Sequence, residues 1–394
     1  ASMLRIMFPY LFFISLVAFA SGVLNTYGNF WAPSFVTVWL NLTLILFALL
    51  YSRGLDNPMH GQALGVLVAG AVQLLFLLPF LKKLGLLVKP QWGWRDSKIQ
   101  RIFKNMLPII FGSSINQISL LVDTLIASTL IAGSVSWLYY ADRLMELPFS
   151  LISIAIGTVI LPSLSAKHAA KSTGEFSAML DWGLRMLMFF AVPAALALFM
   201  LAGALMATLF HHGAFSAHDV HMSQYALRAY ALGMLGFSMV KVLVPGFYAR
   251  QDTKTPVRSG LYAIGTSMSL SFLLVLVVLP YFEVEALHVG LAVSTSMAAF
   301  VNSGYLWWCL RRDGVYTPQA GWGKLALQVG LASVAMALVL WLLGGMDTQG
   351  WLDERATHGA LLRVLHCLAV CAAGAAAYFA VLFALGVRVR HWRH

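Results

Sequence analysis

The chain has 394 residues, of which 60% are hydrophobic and only 10% charged, with a mean hydropathy of +0.80. Water-soluble globules carry about a quarter charged residues, so a soluble enzyme or cytosolic binding module is excluded. The net charge of +11 would suit a nucleic-acid partner, but the placement of the basic residues argues against one.

Apolar runs of roughly 20 residues, enough to cross the hydrocarbon core of a bilayer, recur along the chain. They predict an all-α polytopic transmembrane helix bundle with spans near residues 4–24, 33–51, 62–81, 105–132, 137–161, 178–210, 223–248, 259–280, 287–310, 324–344 and 360–386. Lys82, Lys83, Lys89, Arg95, Lys98, Arg101 and Lys104 fill the connection after the third span. Lys167 and Lys171 follow the fifth, Arg250, Lys254 and Arg258 the seventh, Arg311 and Arg312 the ninth, and Arg388, Arg390 and Arg393 the last. The intervening loops are poor in Lys and Arg. By the positive-inside rule the basic loops and the carboxyl terminus are cytoplasmic. The 82–104 loop has few aromatics for base stacking, so contact with anionic membrane lipid is expected rather than nucleic acid.

An internal repeat organises the spans. At one constant offset, Leu4-Arg5 meets Leu227-Arg228, Ser15 meets Ser238, and Pro33 meets Pro256. Two spans later, Gly61 and "LKKLG" (81–85) meet Gly290 and "LRRDG" (310–314). Three more helices precede the second copy, whereas nothing precedes the first. The expectation is therefore that three amino-terminal helices are missing here, supplied by an absent segment or by a partner chain. Residues 1–82 then form the second half of an amino-terminal lobe, and 83–103 a basic cytoplasmic loop. Residues 104–312 form a six-helix carboxyl-terminal lobe, and 322–387 two further helices. Two pseudo-repeated lobes are a common build of alternating-access transporters.

Charged residues inside a membrane are costly and rarely idle. In the fifth span, "YYADRLMELP" places Asp142, Arg143 and Glu146 within five positions. Ser136, Tyr139, Arg143 and Glu146 repeat at helical spacing as one polar stripe, and Pro148 favours a kink just beyond. A self-neutralising structural pair is one reading. A cavity for an anionic substrate accounts better for the retained cation, because the guanidinium fork suits phosphate. Lys241 sits mid-helix in the seventh span. Asp123, seven residues from Asn116 on one face of the fourth span, either coordinates a cation or pairs with a basic side chain. Asp181 and Arg185 read as an interfacial pair, and His211, His212, His218 and His221 as a solvated loop rather than a metal site. No phosphate loop, nucleotide-binding domain or catalytic triad is present, so no enzyme activity and no cofactor is expected.

Three stretches carry a resemblance: "YYADRLMELPFSLISIAIGTVILPSLS" (139–165), "PGFYARQDTKTPV" (245–257) and "LRIMFPYLFFISLVAFASGVLNTYGNFWAPSF" (4–35). They resemble the lipid II flippase MurJ (MviN) family, within the multidrug/oligosaccharidyl-lipid/polysaccharide exporter superfamily. The resemblance implies fourteen helices, with this chain starting at the fourth. It also implies translocation of the undecaprenyl-pyrophosphate-linked disaccharide-pentapeptide, lipid II, from the inner to the outer leaflet of the bacterial inner membrane. Asp142, Arg143, Glu146, Ser136 and Lys241 would then line the substrate cavity, and the last two helices would form a groove for the lipid tail. Some members use sodium held by acids on the seventh and eleventh family helices. Asp123 stands on the former, but span 259–280 has no carboxylate, so coupling to the membrane potential is expected. The alternative function is a drug/cation antiporter or another lipid-linked polysaccharide exporter. A membrane enzyme acting on polyprenyl phosphates and a structural scaffold are more distant alternatives.

Overall fold

The computed structural model describes residues 2–51, 58–86, 99–100, 106, 117, 120–278, 286–357 and 359–387. Asn116 and most of the basic 83–103 loop lie outside them. Among the described residues every regular element is helical, and nine spans are long and apolar enough to cross a membrane. By contacts the chain divides into two units, Ala1–Phe103 and Lys104–His394.

In the first unit, α1 (Ser2–Met7) and α2 (Tyr10–Thr26) are separated at Pro9, which lacks the N–H that would continue the ladder. The helix α3 (Trp31–Leu46) ends in a π-helical turn, Phe47–Tyr51, and α4 (Pro58–Lys83) packs against all three. Val17, Ala20 and Leu24 of α2, Ala32 and Val36 of α3 and Leu77 of α4 make its buried centre. Buried Gln73 of α4 donates its amide to the Val36 carbonyl at 3.1 Å. Polar cross-links of this kind stand in for the hydrophobic drive that helices lack in lipid.

The second unit begins with the short α5 (Leu120–Thr129), the described part of the fourth predicted span. Next, α6 (Ser134–Ala169) runs 36 residues through Pro148 and Pro162. The single span predicted over 178–210 is instead two helices, α7 (Thr173–Met200) and α8 (Ala202–Phe210), joined at Leu201. The sequence there is apolar without interruption, so no breaker announces the joint. The long α9 (Ala217–Tyr248) starts with a capping box: Asp219 N–H donates to Ser216 Oγ, and Ser216 N–H donates back to Asp219 Oδ2 at 2.7 Å. Then come α10 (Lys254–Leu273) with a π-helical extension to Val278, α11 (His288–Arg312), α12 (Trp322–Leu342), α13 (Thr348–Thr357) and α14 (Ala360–Ala384). Helix α13 was not foreseen in the sequence.

Helix α9 is the axis of this unit, packed by α6, α7 and α11. It meets α11 so closely that a Cβ on Gly233 would lie 2.7 Å from the Ser296 Cα, and one on Gly236 2.9 Å from the Ala299 carbonyl carbon. Ser296 Oγ uses the proximity to donate to the Ala229 carbonyl at 2.8 Å. Small residues at a helix crossing are how membrane bundles bring backbones together.

Asp181 makes the i,i+4 pair with Arg185 that the spacing predicts, and it takes further partners as well. Its side chain is 1% exposed, and its two oxygens accept from Arg185 Nε (2.6 Å), the Tyr316 hydroxyl (2.9 Å), the Gln319 N–H (3.2 Å) and Trp322 Nε1 (2.8 Å). Arg185 in turn donates to the Gln319 and Ala320 carbonyls at 3.1 and 2.8 Å. One carboxylate thereby fastens the α11–α12 connection to α7. Further along, buried Tyr378 of α14 donates its hydroxyl to the Phe189 carbonyl of α7 at 2.7 Å.

Candidate functional site

The polar stripe lies on the face of α6 that packing leaves free. Trp137, Ala141, Leu144 and Met145 are buried, whereas Ser136, Tyr139, Arg143 and Glu146 are exposed. Arg143 Nη1 donates to Glu146 Oε2 at 2.7 Å, and its guanidinium stands over the Tyr139 ring, 5.2 Å from the centroid. The two charged side chains are 55% and 49% exposed. The ion pair engages one nitrogen of the fork and leaves further N–H donors for an anion.

Asp142 does not share that face. It is half-buried and feels both Glu146 and Arg143 electrostatically, but it also acts on Tyr230 of α9, as does Asp123 of α5. The three charges that are adjacent in sequence thus separate into an exposed Arg–Glu pair and an inward acid.

Lys241 and Asp123 come together elsewhere. Both line a cavity of about 480 Å³ within the second unit, walled also by Ser267 of α10 and by Thr295 and Asn302 of α11. No residue of the Arg143 stripe lines this cavity. Asp123 Oδ1, Ser267 Oγ and Asn302 Oδ1 are buried there without a hydrogen-bond partner. A carboxylate, an amide carbonyl and a hydroxyl form the oxygen set that a hard cation takes, so these residues fit one. Ser267 and Asn302 were missed from sequence. The lone amide in "AAFVNSGYL" is the signal that could have found the second. Asn116, the expected companion of Asp123, lies outside the described residues.

Among the described residues no cluster of His, Cys, Asp and Glu could hold a metal by itself. His218 and His221, expected in a loop, stand in α9, where His221 contacts Gln224 at 3.1 Å and Gln349 at 3.1 Å. A second cavity, of about 360 Å³ and almost wholly apolar, lies between Met186, Phe189 and Phe190 of α7 and Phe379, Leu382 and Phe383 of α14.

The family model described as lipid II flippase MurJ matches residues 1–354. A probable lipid II flippase MurJ of Vibrio cholerae is 44% identical over 390 residues, covering 98% of this chain and 71% of the relative. One of Haemophilus influenzae is 42% identical, covering 99% and 75%, and the lipid II flippase MurJ of Burkholderia cenocepacia is 41% identical, covering 100% and 74%. Among solved structures, a lipid II flippase MurJ in an inward closed conformation superposes with a TM-score of 0.75 at 23% identity, over 97% of this chain and 75% of that one. That likeness speaks to the fold. With the family model and the relatives together, the chain belongs to the lipid II flippase MurJ family.

Proposed function

We propose that the protein translocates lipid II from the inner to the outer leaflet of the bacterial inner membrane by alternating access, with its basic loops and carboxyl terminus in the cytoplasm. Family membership supports the substrate, and the half-exposed Arg143–Glu146 pair is the observation that carries the mechanism. Arg143 offers fixed N–H donors to the pyrophosphate, the strongest anion on the substrate. Glu146 holds the guanidinium in place and competes for it, which limits how tightly the headgroup is retained and allows release. Tyr139 and Ser136 extend the same face toward sugar hydroxyls. The protein forms and breaks no covalent bond in this reading and is not an enzyme.

Asp123, Ser267 and Asn302 fit a cation whose binding would supply charge to one conformational state. The ammonium of Lys241 in the same cavity opposes it, so occupancy would follow how far that ammonium withdraws. The apolar cavity between α7 and α14 would suit a stretch of polyprenyl tail, which supports a tail groove that includes the last helix. Membrane lipids are the other contacts.

The deciding experiment measures the leaflet accessibility of lipid II in cells that depend on this protein, carrying Arg143→Ala or Glu146→Gln. Accumulation of lipid II in the inner leaflet at normal protein levels is expected. Unchanged accessibility in both variants would remove Arg143 from the transport path. Binding of a cationic dye in preference to lipid II would favour the antiporter alternative.

A further inference from the structure

At the Lys- and Arg-rich end of the second unit, the end of α6, the start of α7 and the residues after α9 and α11 converge on a cavity of about 290 Å³. Its polar wall is Lys167, His168, Lys171, Ser172, Arg250 and Asp313. Three cations there face a single carboxylate. Asp313 is itself divided between Arg250 at 3.8 Å and Arg312 at 3.5 Å, and Lys167 reaches out to Glu175 at 2.7 Å. Lys171 forms no ion pair among the described residues, and Nη1 of Arg250 is buried with no hydrogen-bond partner. A charged donor buried without an acceptor is a costly defect, and an anion in the cavity would cure it.

The backbone points the same way. Helix α7 opens here, its cap residue Ser172 makes no side-chain cap bond, and so the positive end of a 28-residue helix lies at the cavity wall. Lys171 occupies the left-handed seat, φ 56°, that closes α6, where glycine is the usual occupant. Lys171 N–H donates to the His168 carbonyl at 3.0 Å and Ser172 N–H to the Lys167 carbonyl at 3.1 Å, which completes the turn. A side chain in that seat lowers stability relative to glycine. The lysine therefore contributes something other than the turn: an ammonium at the cavity wall.

We propose that this cavity is a binding site for a phosphate group, supplied either by the headgroup of an anionic lipid or by free phosphate. It is separate from the transport face. Lys167 lies 24 residues along α6 from Arg143, about 36 Å at 1.5 Å per residue.

The test uses the whole chain in nanodiscs and in lipid-free detergent. Retention of phosphatidylglycerol, phosphatidylcholine and inorganic phosphate is read by native mass spectrometry and by thermal shift. Parent protein is expected to retain phosphatidylglycerol well above phosphatidylcholine. Arg250→Gln should weaken that retention by about tenfold, the worth of one charge-assisted hydrogen bond. Lys171→Gly should weaken it severalfold while leaving the thermal midpoint unchanged or higher, an opposition of signs that a merely structural lysine would not give. Arg5→Gln, an equal loss of charge in the other unit, should leave retention as it was. Protection by inorganic phosphate alone, lost in Arg250→Gln, would identify free phosphate as the source; protection by the lipid only would identify the headgroup. Equal retention by parent, Arg250→Gln and Lys171→Gly would overturn the proposal.

Discussion

Arg143 and Glu146 are bonded to each other, yet their pairing contributes little to stability, because a half-exposed ion pair is worth about 0–1 kcal/mol. Arg143→Ala is accordingly expected to shift the thermal midpoint hardly at all while abolishing lipid II flipping, and Arg143→Lys to restore only part of it. Asp181 is the reverse case, a buried carboxylate held by four donors. Asp181→Ala should cost roughly 3 kcal/mol, read as a lowered thermal midpoint in detergent, because Tyr316, Trp322 and Arg185 lose their shared acceptor. The stripe was legible in sequence since its members recur every three or four residues. The role of Asp181 was not: its visible neighbour Arg185 suggested a local pair, while Tyr316, Gln319 and Trp322 are 135 or more residues distant. Asp252, in the loop before α10, gives a pH-dependent test. Burial pushes its carboxyl up, but the Thr255 hydroxyl and the N–H groups of Thr255 and Lys254, with Arg250 nearby, more than offset this and hold it below the usual range. A depressed folded-state value means the stabilisation is present above the unfolded value, near 3.9, and is lost as pH falls through the folded one. Asp252→Asn should therefore cost about 1 kcal/mol at neutral pH, and the deficit should shrink on titration below about pH 4.

Among the elements, the α9–α11 crossing sets the tolerance of the bundle. Gly233→Ala would drive a Cβ against the Ser296 backbone, which cannot swing away as a side-chain tip would. A loss of about 1–3 kcal/mol is expected. Gly22→Ala, whose new methyl meets nothing within 4 Å, should be neutral or slightly stabilising. Hydropathy alone located nine of the eleven expected spans, because length and apolarity are what a bilayer selects; those expected at 105–132 and 259–280 are not among the nine found in the described residues. It passed over the joint at Leu201, where both flanks are equally apolar and the turn residue, at φ −87° and ψ 7°, needs no glycine. It also passed over α13, whose polar sequence "TQGWLDERAT" has no bilayer signature and which is tied down by Thr348 Oγ1 donating to Gln224 Oε1 at 2.7 Å.

For the molecule as a whole, contacts divide the chain after Phe103. Polar residues at membrane depth could be found from sequence, but not their sorting. Asp142 and Arg143 are adjacent in the chain yet serve different surroundings, and Lys241 stands beside Asp123 rather than among the stripe residues lining one cavity. Sorting depends on which face each helix turns to its neighbours, and apolar spans of low amphipathicity carry little record of that.

The anchoring of the 316–322 strap is concentrated on Asp181, backed by Ser177 bonded to Thr317 and by Arg185 bonded to the Gln319 and Ala320 carbonyls. Three of its four donors, Tyr316, Gln319 and Trp322, come from the strap, so a substitution or a wedging small molecule at this single point removes all three bonds together. Damage at this knot should therefore appear as one large step in the hold of α7 on the strap, and a compound seated between Trp182 and Lys324 would reach it from outside the bundle.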